Sequence, residues 1–229
     1  VVTTATDVVD LMDGEVSLRE AIAYQKYLLG AGEISETDAI TFADDLSGAV
    51  ITLNGTATAP ATYAGIYEDL PTYGTIVVDG SVLIEGSNVT IDCANLTSAV
   101  FFLEDQTSFG VSDLTFEKFK NFDDVTGAIT NIRDYDDFTG LYGEDINDLG
   151  PYTGDRHVEV TLTGVTFDST SALVAPIAIL GDVELTGVSG RLSYGDNYQM
   201  GGVAAGLVFQ TNGSLSIDQS TFTDLLSDT

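Results

Sequence analysis

Apolar positions recur along the chain in a six-residue unit: apolar, two polar or small, apolar or small, polar, apolar or small. The unit occurs as Ile91-Asp92-Cys93-Ala94-Asn95-Leu96, Val111-Ser112-Asp113-Leu114-Thr115-Phe116 and Leu162-Thr163-Gly164-Val165-Thr166-Phe167. It returns as Leu185-Thr186-Gly187-Val188-Ser189-Gly190 and Ile217-Asp218-Gln219-Ser220-Thr221-Phe222. A further apolar residue stands two positions upstream each time, at Val89, Phe109, Val160, Val183 and Leu215. Val158, Val160 and Leu162 alternate with Glu159, Thr161 and Thr163, the period of a half-buried strand. Between the apolar pairs lie Ser-Asp, Thr-Gly and Asp-Gln, residues that suit a sharp bend. The starts are offset by 20, 51, 23 and 32 residues, which fits coils of slightly over 20 residues, some enlarged by insertions. Such units stacked in parallel bury their apolar ladder and give a β-helix, a solenoid; the bland alternative is a β-sandwich with coincident spacing. The expected core places Phe116 and Phe167 inside, in line with Leu96.

Ahead of these units the pattern differs. Residues 1–11 alternate loosely and predict a short strand. Ser17-Leu18-Arg19-Glu20 reads as a capping box, with Leu18, Ala21, Ile22 and Leu29 as an apolar stripe and Gly30 with Gly32 as the stop. A helix over about 17–29 follows, and nothing after it is convincingly helical. The stretch Val1-Val2-Thr3-Thr4, Asp7-Val8-Val9-Asp10, Asp13-Gly14 and Ser17-Leu18-Arg19-Glu20-Ala21-Ile22 resembles the CSLREA domain, with Val16 where that motif has cysteine. The resemblance implies a right-handed parallel β-helix of a bacterial secreted or surface protein, adhesins included. In physical terms, a strand and amphipathic helix at residues 1–39 would cap the open end of the solenoid. Residues 40–229 would form its coils in one domain, with loops inserted near 54–74, 130–156 and 191–202. The abrupt stop after Phe222 suggests a piece of a longer protein.

Charge narrows the function classes. The 229 residues carry 36 acids against 7 Lys and Arg, a formal charge of −29. Such a surface repels nucleic-acid phosphates and anionic membranes. No apolar run reaches the roughly 20 residues of a membrane span. One cysteine, Cys93, rules out an internal disulfide and reads as a buried, inert thiol; one histidine, His157, disfavours zinc catalysis. A signal peptide is not seen, so Val1 reads as a mature or an excised start.

The three insertions hold eight of the ten tyrosines. Tyr63, Tyr67, Tyr73, Tyr135, Tyr142 and Tyr152, with Asp136 among the acids of the middle loop, are the candidate ligand-binding residues. A tyrosine ring can stack on a sugar face and a carboxylate can accept from sugar hydroxyls; the plainer role of each tyrosine is to staple its loop to the coils. Asp134, Asp136 and Asp137 leave calcium possible, though solvated charge accounts for them, and Asp44-Asp45 and Asp123-Asp124 read as turn acids. Polysaccharide lyase or hydrolase chemistry would need facing carboxylates or outward acids on successive coils. The candidates for it, Arg133, Arg156, His157 and nearby acids, cluster in one loop, so no catalytic residue is assigned. The expected function is an extracellular binding module of a bacterial cell-surface adhesin. Its partner would be a host or surface glycan or receptor, or another copy of itself. A carbohydrate-active enzyme and a non-binding stalk are the alternatives.

Overall fold

A computed structural model describes residues 1–10, 12–55, 74–96, 99–119, 128–131, 157–169, 177–193, 208–211 and 213–225. Its fold is all-β, and every strand pairing among the described residues is parallel. The strands fall into three columns. The first stacks β1 (Ile40–Thr41), the start of β4 (Val82–Asp92), the start of β6 (Ser108–Glu117), β8 (Val158–Thr163), the end of β10 (Ile177–Thr186) and β13 (Leu215–Asp218). The second stacks β2 (Val50–Thr52), the ends of β4 and β6, β9 (Thr166–Ser169), β11 (Ser189–Ser193) and β14 (Thr221–Leu225). The third stacks β3 (Ile76–Val78), β5 (Phe101–Leu103), β7 (Ile129–Thr130), the start of β10 and β12 (Val208–Thr211).

The register explains the six-residue unit. Val82, Phe109, Val160, Val183 and Leu215 lie rank above rank in the first column, as do Ile84, Val111, Leu162, Leu185 and Ile217. The bend expected inside each unit is a left-handed residue at the same place in four ranks: Asp113, Gly164, Gly187 and Gln219, with φ of 51°, 62°, 62° and 48°. Glycine takes that conformation without cost and aspartate with little. Phe116 and Phe167 are fully buried and stack at 5.5 Å between ring centroids.

One expectation is corrected. Phe116 pairs with Ile91 and not with Leu96, because a register shift between Glu85 and Val89 lengthens β4 across its bend. The first unit therefore begins at Ile84, and its upstream apolar partner is Val82 instead of Val89. Leu96 is buried, but in the turn after β4, where its amide donates to the Cys93 carbonyl. Cys93 is a free, fully buried thiol, and burial followed by the charges of Asp92 and Glu117 pushes its pKa well up.

The strand expected at the N-terminus is not formed: residues 1–10 pair only at single bridges, Val2 with Phe42 and Thr6 with Thr52, so too few amides engage for a ladder. The helix α1 covers Leu18–Ala31, two residues beyond the expected end, and stops at left-handed Gly32. Leu18, Ala21 and Ile22 are buried with Gln25, while Leu29 is only half-buried. Two loop boundaries also shift, since Thr130 belongs to β7 and residues 191–193 to β11. Asp44 and Asp45 sit in a single 3-10 turn, Asp44–Leu46, as turn acids would.

Candidate functional site

Tyr63, Tyr67, Tyr73, Tyr135, Asp136, Tyr142 and Tyr152 lie outside the described residues, as do Arg133, Arg156, Asp134, Asp137 and Asp123-Asp124. What the structure does place is the base of the first loop. The Gly74 amide donates to the Asn54 carbonyl at 2.8 Å, so the chain returns to where it left.

That base is tied to the cap motif. The Ser17 hydroxyl accepts from the Glu20 amide at 3.2 Å and donates to the Val8 carbonyl at 2.6 Å. The Glu20 carboxylate accepts from the amides of Ser17 at 2.8 Å and Asp10 at 2.6 Å. Leu18 is in the core, and Arg19 is also fully buried. Its guanidinium forms a two-pronged pair with Asp7, at 2.9 and 3.0 Å, and donates to the Gly74 carbonyl at 3.0 Å. Asp7 also accepts from the Asn54 amide at 2.7 Å. Ser17 and Glu20 thus cap each other, Leu18 joins the core, and the arginine clamps the N-terminal segment to the loop base. The Asp7 partnership was not read from the sequence, because nothing local links residues 7, 19, 54 and 74.

On the outer side of the first column, register sets Ser108, Glu159, Asp182 and Ser214 rank above rank. His157 precedes Glu159 by two residues and so shares its side of the strand. His157 Nε2 lies 3.1 Å from Asp182 Oδ2, and the ligand atoms of His157, Glu159 and Asp182 all fall within 4.8 Å of one another. The other Asp182 oxygen accepts from the Ser214 hydroxyl at 2.7 Å and the Ser214 amide at 2.6 Å. Those two bonds, then the proximity of His157, hold the Asp182 carboxyl below its ordinary pKa. Glycine lets the backbones close here. A Cβ on Gly181 would run into the Val158 carbonyl, and one on Gly213 into the Gly181 carbonyl. The sequence signal was present in His157-x-Glu159 and in the matching Gly181-Asp182 and Gly213-Ser214 pairs.

The second column has its own outer rows. Thr90, Thr115, Thr166, Ser189 and Thr221 are in register, with the Thr166 and Ser189 hydroxyls 2.9 Å apart. Beside them run Asp92, Glu117 and Asp168. Lys118 Nζ bridges Asp92 at 2.7 Å and Glu117 at 2.8 Å, and both contacts raise its pKa. Partial burial raises the Asp92 carboxyl, but hydrogen bonds from Lys118 and the Ala94 amide outweigh it and the net shift is downward. The expectation that candidate charges lie only in one loop is therefore corrected for these acids, while Arg133 and Arg156 lie outside the described residues. Acids do occupy successive ranks, and they were missed because the β4 lengthening hid the alignment of Asp92 with Glu117. No helix among the described residues is long and apolar enough to cross a membrane. No protein-family model, curated protein or solved structure matches the chain.

Proposed function

We propose that the chain is a right-handed parallel β-helix with a CSLREA-type N-terminal cap, acting as an extracellular binding module of a bacterial surface adhesin. The reading is supported by three columns of in-register parallel strands, a repeated left-handed bend, and a capping helix ahead of the first rank. The single observation that carries the binding role is the outer face of the second column. There a hydroxyl row (Thr90, Thr115, Thr166, Ser189, Thr221) runs beside an acidic row (Asp92, Glu117, Asp168). Strands about 4.8 Å apart give five ranks a length near 19 Å, suited to an extended chain ligand. Hydroxyls and carboxylates offer donors and acceptors to sugar hydroxyls, while a net charge of −29 selects a neutral glycan over an acidic one. Weak individual contacts suit multivalent display on a cell. The tyrosine-bearing loops would add stacking surfaces to the same scaffold.

A glycan array probed with the purified chain tests this. The expected result is binding to neutral polysaccharides that weakens when Thr115 and Thr166 are replaced by lysine. Binding to no glycan at all would favour the stalk. The acidic row keeps a second reading in view, a carbohydrate-active enzyme, and polysaccharide turnover lost in Glu117→Gln would establish it.

A further inference from the structure

We infer that His157, Glu159 and Asp182 form a binding site for a divalent transition-metal ion of the zinc class, independent of the proposed glycan face. The donors come from neighbouring parallel strands: Glu159 on β8 and Asp182 on β10 are register partners, and His157 lies just before β8 on the same side. Their ligand atoms already converge within 4.8 Å. Zinc bonds to imidazole nitrogen and carboxylate oxygen are each about 2.1 Å, so two donors on one tetrahedral ion sit about 3.4 Å apart. His157 Nε2 and Asp182 Oδ2 are 3.1 Å apart in a direct hydrogen bond, which an ion would replace by coordination at nearly the same spacing, without rearrangement of the strands.

The surroundings fit as well. Ser214 holds the far oxygen of Asp182 through its amide and hydroxyl, which aims the near oxygen at His157. Outer partners of this kind orient metal-binding carboxylates. The backbone of His157 is fixed too, its carbonyl accepting from the Gln106 amide at 2.9 Å. One imidazole with two carboxylates matches the borderline ions, whereas calcium prefers six to eight oxygens. His157 and Asp182 side chains are 37% and 42% exposed, so water can complete the coordination. The site joins adjacent ranks, and a bound ion would fasten β8 to β10. No catalysis is assigned to it.

The test is calorimetric titration of zinc into the intact chain, with millimolar magnesium present to occupy the general acidic surface. His157 is the only histidine, so its imidazole resonances report the site unambiguously. One saturable zinc site per chain is expected, with those resonances shifting on zinc and not on calcium. His157→Ala and Glu159→Gln should each weaken zinc binding by about tenfold or more, and Ser214→Ala by about tenfold. Circular dichroism and the metal-free melting temperature of each variant confirm that it is folded. Equal zinc affinity in His157→Ala, imidazole resonances that stay put, or calcium binding as tightly as zinc would each overturn the site.

Discussion

Replacing Arg19 by Met leaves Asp7 buried with its main counter-charge gone. The side chains are 0% and 1% exposed, so neither solvent nor salt can compensate. Of the bonds around the Asp7 carboxylate, both from the guanidinium are lost and the 2.7 Å bond from the Asn54 amide remains. The Gly74 carbonyl loses its 3.0 Å donor at the same time. Breaking a buried pair from one side costs about 3–5 kcal/mol. Against a total stability of about 5–15 kcal/mol for a domain, that is about a fifth or more. Urea unfolding followed by far-ultraviolet circular dichroism measures it, with Asp7→Leu and the double variant completing a cycle. The double variant removes both charges and should be less destabilised than the two singles combined, with a coupling of about 2 kcal/mol or more. Raising sodium chloride should leave the Arg19→Met penalty unchanged, since screening acts on exposed charge. A penalty below about 1 kcal/mol, or strict additivity in the cycle, would refute the clamp.

Phe167→Ala should cost about 3–5 kcal/mol in the same assay, because Phe167 is fully buried between Phe116 and Phe119. Gly181→Ala should cost about 1–3 kcal/mol or more, since φ is 148° and a Cβ meets the Val158 carbonyl; a neutral result would mean that the backbones do not close there. The melting temperature of the wild type should rise with sodium chloride, as screening relieves repulsion within a chain of net charge −29, and a flat response from very low to near-molar salt contradicts this. Asp182 has a lowered pKa, so its stabilising effect is present above the ordinary value of 3.8 and fades as pH falls through the lower folded value. The stability gap between wild type and Asp182→Asn should therefore close on acidification below about pH 4, and a gap that widens there contradicts the assignment.

The sequence alone determined the repeating apolar ladder, buried in every rank but the last, where Leu215, Ile217 and Phe222 are exposed, together with the bends, the helix and its N-cap. Each is a local property: a period of two, a small or turn-forming residue between apolar pairs, a Ser and Glu three apart. Val111, Leu162, Leu185 and Ile217 are consequently in the register that their spacing implied. Tertiary structure decided what depends on how ranks are paired. The lengthening of β4 at Gly86-Ser87-Asn88, where Asn88 is left-handed, moved the first unit from Ile91 to Ile84 and with it brought Asp92 beside Glu117. The capping box left the partners of Arg19 unassigned, and folding supplies them from separate segments: Asp7, itself held by the Asn54 amide, and the Gly74 carbonyl. His157, Glu159, Asp182 and Ser214 span 58 positions, yet stacking brings the ligand atoms of the first three within 4.8 Å of one another and Ser214 into hydrogen-bonding range of Asp182. In a stack of parallel strands, neighbours across ranks are fixed by hydrogen-bond register and by the length of each intervening loop. A periodic pattern specifies which side chains face inward, while those lengths choose which outward side chains meet.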